Sequence, residues 1–306
     1  MPLLLGERPI VGWWALGAAV PLSLCLAAFG GSKVLAARPV LGAAHARVVA
    51  GAMPPPGMAR LSLAVEPVTI RPERHPLDGL SRVELETLVK SSPEKLGPAI
   101  VGRPNRGVLF NPVTLESGPG LEVMNEERRF ATSVTATAIT NAVAEVEREF
   151  PGAVLRVGDI SGRRGGYIRP HRSHQAGVDA DIGFYYRTPQ KWYTKANASN
   201  LDCERTWALV KALVAQGTVE YLFVDRSVQS LLREHALAIG ESREFVDELF
   251  ESPAKRDTLV RHAWGHLTHF HVRFIDPVAE ETGRRAGPSL GRARPPEPRA
   301  RRAKKK

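Results

Sequence analysis

Residues 265–274 read GHLTHFHVRF and bring His266, His269 and His271 into one short run. From His269 onward polar and apolar residues alternate, which is the period of a β-strand. Residues i and i+2 of a strand face the same side, so we expect His269 and His271 to project together. The opposite face, toward a hydrophobic core, would carry Phe270, Val272 and Phe274. The run predicts a strand at residues 269–275 with histidines on one face.

A second histidine motif lies earlier in the chain. Residues 170–184 read PHRSHQAGVDADIGF, in which six residues separate His174 from Asp181. We expect His174 in an irregular loop and Asp181 on a strand at residues 178–186, so that both side chains can bend toward one point. Asp179 shares the strand face of Asp181 and is expected to orient a ligand rather than to be one.

Two imidazoles and one carboxylate with an open fourth position are the ligand set that a catalytic zinc ion requires. Six of the nine histidines lie in the two motifs or just before the second, namely His171, His174, His262, His266, His269 and His271. Zinc needs fewer, which indicates that some serve proton transfer or transition-state stabilisation. For any single histidine a structural role remains an alternative, and His262 is expected to be a supporting residue. With only Cys25 and Cys203, the chain excludes a disulfide scaffold and a four-thiolate zinc module.

Most of the positive charge is concentrated at the C-terminus. The formal net charge is +10, and residues 284–306 hold ten Lys and Arg with a single acid, Glu297. A nucleic-acid-binding domain would spread basic residues over its fold, so the high isoelectric point does not indicate one. We predict a disordered basic tail at residues 279–306, attracted to an anionic wall or membrane surface, with no specific nucleic-acid partner.

The remaining pattern mixes helical and strand periods. Helices are predicted at residues 81–90, 126–150, 204–215 and 227–237, and further strands at residues 61–70, 154–157 and 219–224. The segment GRPNRG at residues 102–107 has the Gly and Pro content of a surface loop. The irregular alternation predicts an α+β fold, a small and largely antiparallel sheet with flanking helices.

The two histidine motifs resemble those of the penicillin-insensitive murein endopeptidases, the MepA-type branch of the lysostaphin, D-Ala-D-Ala carboxypeptidase and hedgehog-like zinc peptidases. The resemblance covers about residues 97–276 and includes GRPNRG and the VGDIS stretch at residues 157–161. It implies a hedgehog-like fold and one zinc ion per chain. The implied metal ligands are His174, Asp181 and His271. The implied catalytic residues are His269 as general base, with His266 and His171 in supporting roles, one of them as an imidazolium that stabilises the oxyanion.

The resemblance also implies a function and a compartment. Water activated by zinc would hydrolyse the peptide cross-links of peptidoglycan, between D-alanine and diaminopimelate, between two diaminopimelates, or both. The alternative is a zinc-containing regulator that binds the cell wall without cutting it. Tyr185, Tyr186 and Arg106 are expected to line the cleft.

Four segments follow from these patterns. Residues 10–31 contain no charge, so residues 1–37 are either a cleaved export signal or a membrane anchor of a periplasmic protein. A Pro- and Ala-rich linker with a short helix would occupy residues 38–95. The zinc metallopeptidase domain would occupy residues 96–278, and the basic tail would complete the chain.

Overall fold

The computed structural model describes residues 74–293. The predicted signal or anchor segment and the predicted strand at residues 61–70 lie outside the described residues. None of the helices within residues 74–293 has the length and apolar character needed to span a membrane.

Helices and strands alternate irregularly along the described chain. The α-helices are α1 (Arg82–Ser91), α2 (Ser133–Glu149), α3 (Cys203–Ala215), α4 (Arg226–Ala238), α5 (Arg243–Leu249) and α6 (Pro277–Ala293). The strands are β1 (Ala99–Arg103), β2 (Arg106–Phe110), β3 (Val113–Thr114), β4 (Leu121–Val123), β5 (Phe130–Ala131), β6 (Leu155–Val157), β7 (Asp179–Gly183), β8 (Val219–Val224), β9 (Val260–His262) and β10 (His269–Phe274). Short 3-10 turns lie at Pro93–Leu96 and Glu126–Arg128.

Six strands form the main sheet in the order β4-β6-β7-β10-β8-β9. The three central pairings are antiparallel, whereas the outer pairs β4–β6 and β8–β9 are parallel. Two further antiparallel pairs, β1–β2 and β3–β5, lie outside this sheet. The predicted α+β fold is confirmed, with a sheet that is antiparallel at its centre.

Strand β10 separates the core from a polar face. Phe270, Val272 and Phe274 are buried in the main hydrophobic cluster with side chains of α2, α3 and α4, as the alternation predicts. On the neighbouring strand, Ala180 and Ile182 belong to the same cluster. The other face carries the alternate residues of both strands. The register pairs His271 with Asp181 and Arg273 with Asp179 across the two strands.

A smaller hydrophobic cluster joins the two ends of the described chain. Its buried members are Leu77, Val89, Leu96, Ala99, Ala286 and Leu290, from the turn before α1, α1 itself, the following 3-10 turn, β1 and α6. An adjoining cluster contains Ile100, Leu109, Ala176, Val178 and Ala279. Because Ala176 and Val178 follow His174 closely in sequence, this cluster supports the loop that carries the first histidine motif.

Three predicted segments differ from the structure. GRPNRG, expected to be a surface loop, forms the end of the β1–β2 hairpin, because the two strands pair in register from Ala99 with Phe110 to Arg103 with Arg106 around a turn at residues 104–105. The first long helix begins at Ser133, after a 3-10 turn and β5. Residues 279–293 are not disordered but form most of α6, because Ala279, Ala286 and Leu290 recur at helical spacing and are buried. The rest of the predicted tail lies outside the described residues.

The packing of α6 on β1 gives a testable prediction. A Cβ atom on Gly283 would overlap the Ile100 carbonyl, whereas a Cβ on Gly291, in the same helix, has nothing within 4 Å. We expect Gly283→Ala to lower the free energy of unfolding by about 2 kcal/mol or more, since backbone atoms cannot move aside as a flexible side chain can.

The matched control is Gly291→Ala, which should leave stability unchanged or raise it by up to about 1 kcal/mol through helix propensity. Urea denaturation of the two variants beside the unchanged protein measures both effects. Equal stability of the two variants would show that α6 does not pack closely on β1.

Candidate metal centre

Three side-chain atoms meet on the polar face of β7 and β10. His174 Nε2 lies 3.2 Å from Asp181 Oδ1 and 3.2 Å from His271 Nδ1, and Asp181 Oδ1 lies 3.1 Å from His271 Nδ1. A tetrahedral zinc ion with metal–ligand distances of about 2.0–2.1 Å separates its ligand atoms by about 3.3–3.4 Å. The near-equilateral triangle therefore has the dimensions of one face of a zinc tetrahedron.

The loop backbone orients His174. Its side chain is fully buried, and its φ of 30° lies in the left-handed region, which a residue other than glycine adopts only under constraint. Nδ1–H donates to the Ile160 carbonyl at 3.0 Å. Because a carbonyl only accepts, this bond fixes the tautomer and leaves the Nε2 lone pair directed at Asp181 and His271.

A carboxylate behind His271 orients its ring in the same way. His271 Nε2–H donates to Asp179 Oδ1 at 3.0 Å, and Arg273 Nε donates to the same oxygen at 2.6 Å. Burial lowers the pKa of His271, but hydrogen bonds to Asp179 and Asp181 outweigh burial and raise the pKa to about 9. The carboxylates of Asp179 and Asp181 therefore favour positive charge at this position.

The donor set fits a divalent cation. Burial raises the pKa of Asp181, but the neighbouring imidazoles of His174, His269 and His271 outweigh burial and hold that pKa well below its usual value. The second oxygens of Asp179 and Asp181 are buried and have no hydrogen-bond partner among the described residues. Two ionised carboxylates and two oriented imidazoles in a buried space require positive charge beyond Arg273, which a zinc ion would supply.

His171 offers an alternative third ligand. Ligand atoms of His171, His174 and Asp181 all lie within 4.8 Å of one another. However, His171 Nδ1 is 3.9 Å from Asp181 Oδ2, and its Nε2 is 3.4 Å from Asp159 Oδ2. Burial lowers the pKa of His171, so at neutral pH its imidazole is neutral. The closer triangle of His174, Asp181 and His271 is the better ligand set.

His269 and His266 lie beside the triangle. His269 Nε2 is 3.5 Å from Asp181 Oδ1, and its Nδ1 is 2.8 Å from the Thr268 hydroxyl. His266 donates Nδ1–H to the Trp264 carbonyl at 3.0 Å, and its ring centroid lies 5.2 Å from that of His269. Burial lowers the pKa of His266, and nearby His269 and His271 lower it further. The pKa of both His171 and His266 is therefore lower than that of a free imidazole, and the role of either one as an imidazolium that stabilises the oxyanion stays a prediction.

Other predicted site residues lie elsewhere. Tyr185 is buried in the main hydrophobic cluster, so the expectation that it lines the cleft is wrong. Tyr186 is half-buried and donates its hydroxyl to the Thr194 carbonyl at 2.5 Å. His262 packs its ring edge-on against Trp264, and neither of its ring nitrogens has a hydrogen-bond partner among the described residues. Arg106 is exposed at the β1–β2 turn.

Two residues at the centre were not predicted from the sequence. Tyr193 has a left-handed backbone with φ of 64°, and its ring lies edge-on against His269 with centroids 5.5 Å apart. Asp159 accepts hydrogen bonds from Arg128 at 2.5 Å and from Asn125 at 3.0 Å beside His171. Tyr193 lies in an irregular segment without period. Asp159 belongs to the VGDIS stretch, which supports the resemblance but predicts no role for Asp159.

Comparison with known proteins relates the chain to one family. A sequence profile described as penicillin-insensitive murein endopeptidase matches residues 100–289, more than half of the chain. A curated protein of that name from Pectobacterium atrosepticum is 27% identical over 202 residues. The match covers 59% of this chain and 66% of the relative, just under two thirds of the relative's length. The matched residues include β10 and every side chain of the centre.

Proposed function

Because the chain belongs to the penicillin-insensitive murein endopeptidase family, we propose that it is a zinc-dependent hydrolase of peptidoglycan cross-links. The bonds would be those between D-alanine and diaminopimelate, between two diaminopimelates, or both. The observation that carries the proposal is the triangle of His174 Nε2, Asp181 Oδ1 and His271 Nδ1, with sides of 3.1–3.2 Å. Such a reaction belongs outside the cytoplasm, in the compartment that holds the cell wall.

His174, Asp181 and His271 would hold the zinc ion. When bound, zinc supplies a Lewis acid that lowers the pKa of water and polarises a peptide carbonyl. Asp179 and the Ile160 carbonyl fix the two imidazole tautomers so that lone pairs face the ion. The guanidinium group of Arg273 pairs with Asp179. Asp179 can therefore orient the His271 ring without adding a second net negative charge to the site.

His269 would act as the general base. In the tautomer that donates Nδ1–H to the Thr268 hydroxyl, the lone pair would lie on Nε2, 3.5 Å from Asp181 Oδ1, where it would accept a proton from water at the centre. His269 would then deliver the proton to the leaving amine. His266 is neutral at rest and keeps a free Nε2, so it can take up a proton during turnover and stabilise developing negative charge.

A regulator that binds the cell wall without cutting it needs a metal site but no proton-transfer group beside it. The position of His269 at 3.5 Å from the carboxylate ligand therefore favours an enzyme. Digestion of purified sacculi followed by muropeptide separation distinguishes the two functions, because a regulator leaves the cross-linked dimers intact.

The ligand assignment makes a prediction about metal content. We expect the dialysed protein to retain about one zinc ion per chain by elemental analysis, and His174→Ala and His271→Ala to retain almost none, because each removes one of three ligands. His171→Ala should keep the metal, since its ring lies outside the triangle. The control is His262→Ala, which should also keep it.

Loss of zinc in His171→Ala with retention in His271→Ala would contradict the assignment and favour the alternative ligand set. Circular dichroism of each variant shows whether the fold is retained, so that loss of a ligand is separated from unfolding.

The general-base assignment makes a prediction about rate. We expect His269→Ala to keep zinc but to lose about a hundredfold or more in turnover on sacculi, the usual contribution of a general base. The matched control is His235→Ala on α4, which has no contact with the centre and should retain turnover. Normal turnover by zinc-loaded His269→Ala would remove His269 from the mechanism.

A further inference from the structure

Six arginines lie on two adjoining segments next to the candidate metal centre. We call them the arginine surface, and they are Arg103, Arg106, Arg163, Arg164, Arg169 and Arg172, all exposed. Arg103 and Arg106 flank the β1–β2 turn, and the others lie in the loop at residues 162–175. That loop also supplies His171 and His174, so the arginine surface borders the centre.

Gln175 joins the two segments. Its backbone N–H donates to the Pro104 carbonyl at 3.3 Å. Its side-chain amide donates to the carbonyls of Asn105 and Arg172, each at 2.8 Å. One side chain thus binds the hairpin turn and the loop, and the arginines of both segments belong to a single surface.

Gly165 allows the backbone of its loop to approach the backbone of β2 more closely than a residue with a side chain would. Gly165 has φ of 62°, and a Cβ there would overlap the Gln175 carbonyl and the Leu109 amide. Leu109 N–H donates to the Arg164 carbonyl at 3.2 Å, and Gly166 N–H donates to the Gln175 carbonyl at 2.9 Å. The loop is therefore held by its backbone, which leaves the guanidinium groups free to bind another molecule.

The arginine surface lacks compensating acids. Residues 99–115 and 160–178 contain no Asp or Glu. Among the residues that the structure describes, none of the six arginines forms an ion pair, whereas nearby Arg128 is paired with Asp159. Like charges held together without counter-charges repel one another and create a positive potential that attracts anions. An anionic ligand would remove this repulsion.

We propose that the arginine surface binds free carboxylates of the peptide stems of peptidoglycan and so positions a cross-link at the metal centre. This inference rests on the proposed function. A stem peptide keeps free carboxylates, because its glutamate is joined through the side chain and its diamino acid has a carboxylate outside the main chain. Guanidinium groups bind carboxylates through two parallel hydrogen bonds, which gives orientation as well as affinity.

The position of the surface favours this ligand over other polyanions. Arg172 directly follows His171, and the Arg169 carbonyl accepts a bond from Arg128, which in turn holds Asp159 beside His171. A stem bound here lies next to its own cross-link. Nucleic acid and anionic lipid would also be attracted by the charge, and the experiment below includes both.

The test uses binding to purified sacculi, with His269→Ala as the background so that the substrate stays intact. We expect Arg106→Gln with Arg172→Gln, one arginine from each segment, to weaken binding at low ionic strength by about tenfold or more, the usual scale for lost charge-assisted hydrogen bonds. The matched control is Arg243→Gln with Arg256→Gln, on α5 and in the loop after it. Both arginines are exposed and neither forms an ion pair with another described residue, so this variant should bind normally.

A second measurement needs no variant of the surface. The carboxylates of the sacculi are converted to amides, and the protein with all six arginines should bind these sacculi as weakly as the double variant binds untreated sacculi. Added salt should weaken the binding of the six-arginine protein to untreated sacculi. The active double variant should show a raised KM with unchanged kcat, because the lost contacts position the ground state as well as the transition state.

Equal binding to blocked and untreated sacculi, or equal binding by the double variant and its control, would overturn the proposal. Displacement from sacculi by RNA or by phosphatidylglycerol vesicles at lower concentration than by soluble muropeptides would also overturn it. If the unchanged enzyme fails to cut sacculi, the proposed function is wrong. The two failures are therefore distinguishable, because the binding measurement does not depend on cleavage.

Discussion

The antiparallel register of β7 and β10 is the constraint on which the candidate centre depends. It sets His271 opposite Asp181 and Arg273 opposite Asp179 on one face, while Phe270, Val272, Ala180 and Ile182 enter the core on the other. A slip of one residue would turn every polar side chain into the core. Burial of the apolar side chains against α2, α3 and α4 thus fixes the positions of the polar side chains on the opposite face of the two strands. Burial itself is unfavourable for those polar side chains.

The third member of the triangle comes from a loop and needs separate support. His174 has a left-handed backbone, and a bond to the Ile160 carbonyl and the buried residues after it hold it in place. The cluster of Ile100, Leu109, Ala176, Val178 and Ala279 joins that loop to β1, β2 and α6. Segments far from the centre in sequence therefore determine where His174 Nε2 lies.

The sequence predicted those helices and strands whose residue pattern alone specifies the secondary structure. Strand β8 was predicted with its observed bounds and α3 and α4 within a residue, because each has a sustained period. The hairpin of β1 and β2 was missed because Gly, Pro and Arg dominate its turn, and only pairing satisfies its backbone. Helix α6 was missed because Gly283, Gly287 and Pro288 oppose a helix locally, although close packing on β1 requires the small residues. The two motifs predicted that His174 and Asp181 would bend toward one point and that His269 and His271 would share a strand face, and the resemblance joined the two pairs in one centre. Neither predicted the contact of Tyr193 with His269.

Departures from local rules are concentrated at the centre. Within residues 74–293, two of the three non-glycine residues with positive φ, His174 and Tyr193, lie there, together with two buried carboxylates that have unpartnered oxygens. Each feature costs free energy that the surrounding packing must offset. Binding of a cation would offset part of this cost at the triangle, and binding of carboxylates would relieve the repulsion among the arginines of the arginine surface. The proposed metal centre, which would attract a cation, therefore lies beside the arginine surface, which would attract anions. A substrate with a carbonyl at the metal centre and carboxylates at the arginine surface would complement the charge of both.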